Sequence, residues 1–92
     1  MVMFINMKEI IAADTISDFC SNLEAGAMGR RDIVLDFKGV QEIKSKAVVE
    51  IMTTCLKLKE SGDVIRLKDM SFMVRDQFLL SAINYAGDEI LL

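Results

Sequence analysis

The stretch 32–62 constrains the fold of this chain most, because it reads as a strand followed at once by a long helix. Residues 33–37, IVLDF, are almost entirely apolar, which is typical of a strand covered on both faces. Gly39 marks a turn after that strand. The helix is predicted to begin near Ser45 and to end at Gly62, since glycine suits a left-handed C-terminal position.

Strands and helices are predicted to alternate along the rest of the chain. The patterns indicate a strand over Met3–Ile10, a helix that Asp14 or Thr15 caps, a strand over Asp63–Leu67 and a helix that Asp69 or Ser71 caps. The last helix would bury Val74, Phe78, Leu79, Ala82, Ile83 and Ala86, and the tail Glu89–Leu92 is interpreted as a further strand or a coil on the sheet. This alternation predicts a single α/β domain over residues 1–92, with a mixed or mostly parallel sheet of about four strands and helices packed on it.

Composition excludes several classes of function. The chain has 92 residues, a net charge of −3 and no histidine, so it lacks the commonest general base and zinc ligand. Basic residues do not cluster, and nucleic acid is therefore not expected as a partner. The two cysteines, Cys20 and Cys55, are expected to be buried free thiols. Neither a signal peptide nor a membrane span is evident, which predicts a cytoplasmic protein without membrane contact. No set of catalytic groups is assembled, so we expect no enzyme and no cofactor.

Helical projection divides the long helix into three sets of residues. The solvated set comprises Lys46, Glu50, Thr53, Lys57, Glu60 and Ser61, and the core set comprises Ala47, Val48, Ile51, Cys55 and Leu58. A third set, Val49, Met52 and Leu56, projects close to Ser45 and widens the apolar arc beyond the usual need of a surface helix. Either another helix covers this flank or it is an exposed surface for a partner. Exposure of Val49 and Leu56 decides between the two.

The same residues resemble the STAS domain of sulfate transporters and anti-sigma factor antagonists. The resemblance rests on IVLDFKGVQEI, on Ser45 at the start of a helix that ends at Gly62, on the strand VIRL, and on MVRDQFLLSAINYAGDEILL. It covers most of the chain from about Thr15. It implies a sheet flanked by helices and a regulatory role in which a protein partner binds around the start of the long helix.

The family signature at that place, Asp-Ser-Ser/Thr-Gly, corresponds here to Lys44, Ser45, Lys46 and Ala47. Lys46 stands where the family carries its phosphorylated hydroxyl, so the resemblance predicts an interaction module without the standard phospho-switch. Ser45 is then the candidate for phosphorylation, and its alternative role is to cap the helix. The predicted partner-binding residues are Lys44, Ser45, Lys46, Val49, Met52 and Leu56. The expected partner is an anti-sigma-factor-like kinase or another regulator in a bacterial partner-switching system.

Two further interpretations remain open from the sequence. Lys44–Ser45 at a helix start also resembles the regulatory serine of HPr, the phosphocarrier of the sugar phosphotransferase system, although the catalytic histidine has no counterpart. The other interpretation is a small structural subunit that forms a homodimer through the apolar flank or through a free edge strand.

Overall fold

The computed structural model describes residues 2–26 and 29–85. In chain order the elements are β1 (Val2–Asn6), α1 (Met7–Ala12), α2 (Ile16–Ala25), β2 (Asp32–Asp36), α3 (Ser45–Glu60), β3 (Val64–Lys68) and α4 (Phe72–Tyr85). The strands form one parallel sheet in the order β1-β2-β3. The predicted α/β class is confirmed, but the described part of the chain contains three strands rather than about four. The tail Glu89–Leu92 lies outside the described residues.

The sheet is covered by helices on one face. Its strands follow one another in one direction, so right-handed connections place α2 and α3 on the same side. Ile33 and Leu35 of β2 face that side and are almost completely buried. Val34 on the opposite face is half-buried, and its neighbourhood includes the exposed side chains of Phe4 and Val64. Within residues 2–26 and 29–85, the prediction that β2 is covered on both faces is therefore wrong, because both connections cross the sheet on one side.

The first strand is shorter than predicted. It ends at Asn6, whose side-chain oxygen accepts a hydrogen bond from the backbone N–H of Lys8 at 3.1 Å and so begins α1. Met7 is fully buried in the core. The predicted strand over Met3–Ile10 is thus wrong from Met7 onward. Thr15 precedes α2 as predicted, but its hydroxyl donates to the Ile10 carbonyl at 3.3 Å and makes no capping bond.

The long helix α3 begins where predicted and ends at Glu60, two residues before the predicted end at Gly62. It begins at Ser45, and Gly62, just beyond its last residue, has a φ of 100° that suits a C-terminal glycine. Its buried side includes Val48, Ile51 and Leu58. Helices α2 and α4 both pack against it, which makes α3 the centre of the helical layer. No described helix has both the length and the apolar composition that crossing a membrane requires.

Polar side chains join α2 to α3. Thr54 donates a hydrogen bond to one carboxylate oxygen of Glu24 at 2.6 Å, and the Lys57 ammonium lies 3.3 Å from the other. The bond from Thr54, helped by Lys57, lowers the pKa of Glu24. Cys20 and Cys55 are free and buried, as expected, and burial raises the pKa of Cys55 to about 12.

A buried ion pair joins the segments that precede β2 and β3 at the amino edge of the sheet. Arg31, before β2, donates to Asp63, before β3, through its Nη2 at 2.9 Å, its Nε at 3.1 Å and its backbone N–H at 3.0 Å. Arg31 Nη2 also donates to the Leu23 carbonyl at 3.0 Å. The Asp63 side chain is fully buried, and the hydrogen bonds from Arg31 lower the pKa of its carboxyl group. The pair therefore ties the amino ends of β2 and β3 to the end of α2.

Candidate functional site

The candidate site lies at the carboxyl edge of the parallel sheet. All three strands end at this edge, so α1, the segment 37–44 and the segment 69–71 emerge next to one another. Ligands of open α/β sheets usually bind outside the carboxyl ends of the strands. Lys44, Ser45 and Lys46 are carried to this edge at the start of α3.

A cleft of about 700 Å³ opens beside these residues, between the corner that joins α1 to α2 and the start of α3. Its lining has five apolar residues, five charged residues and one serine: Ile11, Ala12, Asp14, Ile16, Ser17, Glu42, Ile43, Lys44, Lys46, Ala47 and Glu50. A second cleft, of about 560 Å³, lies between the segments that follow β2 and β3 and is lined by Lys38, Gly39, Val40, Gln41, Asp69, Met70 and Ser71.

The segment that leads into α3 is fixed at both of its ends. At its start, Asp36 accepts a hydrogen bond from the backbone N–H of Lys38 at 3.1 Å, and Gly39 has the positive φ of 84° that the turn requires. At its end, the side-chain amide of Gln77 in α4 donates to the Ile43 carbonyl at 2.6 Å and accepts from the Ile43 N–H at 3.3 Å. Lys44, the next residue, is therefore presented from an anchored backbone.

The three residues at the start of α3 are all exposed. Lys44 is the N-cap residue, and its side chain makes no capping hydrogen bond. Ser45 is the first helical residue, so its alternative role as the helix cap is wrong. Lys44 and Lys46 line the first cleft, whereas Ser45 is not among the lining residues. The Ser45 side chain is open to solvent at the start of α3.

The predicted apolar flank of α3 is only partly a surface. Val49 is 38% exposed, Leu56 is half-buried and Met52 is 1% exposed. Met52 belongs to the same core cluster as Val74 and Phe78 of α4, the helix that packs against α3. Its assignment to a partner-binding surface is therefore wrong, because α4 brings the core to that side of α3. Val49 remains available to a partner.

The charges around the first cleft are mixed. Its lining contains the ammonium groups of Lys44 and Lys46 and the carboxylates of Asp14, Glu42 and Glu50. Glu50 also accepts a hydrogen bond from the Ser17 hydroxyl at 2.6 Å, which fixes its position against α2. A lining that carries both signs together with apolar groups suits a polypeptide surface better than a phosphate backbone, which needs cations alone.

The site offers binding groups rather than an activated nucleophile. Burial raises the pKa of both thiols, and neither Cys20 nor Cys55 lines the clefts at the carboxyl edge. Within residues 2–26 and 29–85, no cluster of three or more histidine, cysteine, aspartate or glutamate side chains has the arrangement of a metal site. The groups that remain are ammonium, carboxylate, hydroxyl and exposed methyl groups.

Comparison of the chain with protein-family models, with curated proteins and with solved structures finds no match in any of the three. The site is therefore interpreted from its own geometry.

Several residues at this edge were not expected from the sequence. The α1–α2 side of the cleft does not follow from the sequence pattern, which predicts a strand over residues 7–10 where the structure has α1. Gln77 was missed because a polar residue on a helix carries no signal of a contact 34 positions away. The exposed apolar residues Phe72, Met73 and Leu80 of α4 were also missed, and the predicted place of Leu79 in the core is wrong, because Leu79 is 37% exposed. One signal existed: apolar residues occur on all sides of that helix instead of in one stripe.

Proposed function

We propose that this chain is a non-catalytic protein-interaction module of a bacterial regulatory or partner-switching system, and that its partner binds at the start of α3. One observation carries the proposal. Lys44, Ser45, Lys46 and Val49 are exposed together beside a cleft of about 700 Å³, on a helix whose other apolar residues are buried or half-buried.

The chemistry of this surface favours a protein partner. The exposed Val49 supplies a small apolar contact, and the two lysines give a positive rim at a helix N-terminus that no side chain caps. A carboxylate of the partner is favoured there by the free N–H groups and by both ammonium groups. The acidic residues of the cleft lining, Asp14 at the corner between α1 and α2 and Glu42 before Lys44, would in turn favour basic residues of the same partner.

The sequence resemblance to STAS domains supports the same place on the fold, because that family binds its partner around the start of the corresponding helix. Lys46 replaces the usual phospho-acceptor, and binding is accordingly proposed to be constitutive. Ser45 is the residue at which phosphorylation would change partner binding, since a phosphate there would lie between two lysines and close to free N–H groups.

The proposal is tested by capture from an extract of the native host on the immobilised chain, followed by titration calorimetry with each purified candidate. We expect the double variant Lys44→Glu/Lys46→Glu and the single variant Val49→Asp to weaken binding by about tenfold or more. Lys59→Glu is the matched control, because Lys59 is exposed near the other end of α3. A partner that binds all four proteins equally would contradict this location.

The phosphorylation of Ser45 is tested separately. Intact mass after incubation with the extract and ATP reports a phosphate on the wild type, and Ser45→Ala identifies the site. Equal affinity of the wild type and Ser45→Ala, with no phosphate found, agrees with constitutive binding. A phosphate on Ser45 that releases the partner would replace the constitutive mechanism with a switched one.

A further inference from the structure

One helix holds both ends of the segment that leads into α3. At the start of the segment, the ring of Phe78 in α4 packs edge-on against the ring of Phe37, with the two ring centroids 5.5 Å apart. At its end, the neighbouring residue Gln77 donates to the Ile43 carbonyl at 2.6 Å and accepts from the Ile43 N–H at 3.3 Å. Two adjacent residues of α4 therefore hold the segment 37–43 at its first and last positions.

The backbone of Ile43 depends on Gln77. Ile43 is buried, and buried N–H and carbonyl groups destabilise a fold when they lack partners. No backbone group of the described chain bonds to Ile43, so the side-chain amide of Gln77 takes the place that a neighbouring strand would have. The donor and the acceptor of one amide meet the carbonyl and the N–H of one residue, and this pairing fixes the orientation of the Ile43 backbone.

The start of α3 is held from outside the helix. Lys44, the N-cap residue, follows Ile43 directly, and its side chain makes no capping hydrogen bond. A helix end without a cap frays more readily, because its first N–H groups have no side-chain partner. The anchor at Ile43 therefore limits the movement of the first turn, which carries Ser45 and Lys46 at the surface.

We propose that Gln77 is a positioning residue for partner binding, because it holds the first turn of α3 in the conformation that the partner meets. Gln77 does not line the first cleft and acts through Ile43 and Lys44. The inference rests on the proposed function, since the surface that Gln77 positions is that of Lys44, Lys46 and Val49. A backbone that is ordered before binding loses less conformational entropy when the partner docks, so the affinity depends on Gln77.

Titration calorimetry with the partner purified from the capture experiment tests this inference. Gln77→Met removes both hydrogen bonds to Ile43 and keeps the length of the side chain. We expect it to weaken binding by about fivefold or more at a temperature where circular dichroism shows the variant fully folded. A role in stability alone would leave the affinity of the folded chain unchanged. Asp76→Asn is the matched control, because Asp76 is the exposed neighbour of Gln77 on α4, and its affinity should stay within about twofold of the wild type.

The variant Gln77→Glu tests the hydrogen bonds in the free chain, without any partner. A protonated carboxyl group can donate to the Ile43 carbonyl and accept from its N–H, as the amide does, whereas a carboxylate can only accept. The ¹H–¹⁵N resonances of residues 43–46 should match the wild type below about pH 4 and move towards those of Gln77→Met above about pH 7. Glu42 and Asp76 titrate in all three proteins, so the difference from the wild type at each pH is the quantity compared. Gln77→Glu at neutral pH replaces Gln77→Met in the calorimetry if the latter does not fold, with the same expected loss of affinity.

The outcomes separate this inference from the proposed function. Weakened binding by Gln77→Met, with pH-dependent recovery of the resonances in Gln77→Glu, supports the positioning role. If Lys44→Glu/Lys46→Glu weakens binding and Gln77→Met does not, the proposed function stands and the positioning role is overturned. If neither variant changes the affinity, the partner binds elsewhere and both proposals fail. Resonances of residues 43–46 that are the same in Gln77→Met and in the wild type would also overturn the positioning role.

Discussion

The buried pair of Arg31 and Asp63 gives the sharpest test of what holds this fold together. Replacing Asp63 by Asn preserves the size of the side chain but removes its charge. Three hydrogen bonds from Arg31 end on the carboxylate, and the Asp63 side chain is fully buried. The variant therefore leaves a guanidinium at the protein interior without its anion.

The size of the expected loss of stability follows from the burial of this pair. Breaking a buried ion pair by changing one partner costs about 3–5 kcal/mol. The Arg31 side chain keeps 18% of its exposure, so water can take up part of the lost interaction, and we expect a loss of about 3 kcal/mol. A domain of this length has a free energy of unfolding of roughly 5–14 kcal/mol, so the change is a large fraction of the total.

Urea denaturation followed by circular dichroism measures this loss as a lower midpoint with an unchanged m-value. Arg66→Ala is the control, because the Arg66–Asp32 pair is long, at 3.9 Å, and largely exposed. It should cost less than about 0.5 kcal/mol. A loss below about 1 kcal/mol for Asp63→Asn would refute the argument that the buried pair is a main tie of the sheet.

The same pair predicts a dependence on pH. Arg31 lowers the pKa of Asp63 in the folded state, so folding favours the carboxylate. The stabilisation is complete above the unfolded pKa of about 3.9 and is lost as the pH falls from there through the lower folded pKa. Below about pH 4, the free energy of unfolding should fall more steeply for the wild type than for Asp63→Asn. Equal slopes would contradict the assignment of this acid sensitivity to Asp63.

Three further predictions concern other named contacts. Gln77→Ala should lower the free energy of unfolding by about 2 kcal/mol and speed amide hydrogen exchange at Ile43, because both backbone groups of Ile43 lose their partner. Unchanged exchange at Ile43 would contradict the anchoring role of Gln77. Thr54→Val should raise the pKa of Glu24, measured by carboxyl NMR, because the bond from Thr54 is the main cause of its lowered value; a constant pKa would contradict that cause. Cys55 should react with a thiol reagent at pH 8 only as fast as the fold opens, because its pKa is about 12, and rapid labelling of the native protein would contradict its burial.

The sequence predicted the long helix and the central strand well, and each success has a local cause. Both ends of α3 carry their own signals: a change from an extended to a helical pattern before Ser45, and Gly62 with its positive φ after the last turn. The first strand was predicted too long. The six residues MKEIIA that follow it are too few for the spacing of apolar residues to distinguish a helix from a strand. The side chain of Asn6 decides the boundary.

Other features depend on how the elements pack, which no local pattern records. The apolar segment around Val34 predicts cover on both faces, but the handedness of the two connections puts every described helix that covers the sheet on the other face. Met52 projects towards the edge of the apolar arc of α3, and only the position of α4 puts it into the core. The predicted site at Lys44–Lys46 follows from the local pattern at the start of α3. The cleft beside it could not be predicted in this way, because the corner between α1 and α2 forms its other wall.

Among the described residues no helix covers the second face of the sheet, an arrangement that is uncommon because parallel sheets are usually covered on both faces. The side chains of β3 provide partial cover. The Lys68 ammonium lies 5.4 Å from the centre of the Phe4 ring, so its aliphatic stem crosses the face above β2. Arg66 extends towards Asp32 on the same face. These long side chains shield apolar surface while keeping their charges in water, so β3 itself covers part of the face that no described helix covers.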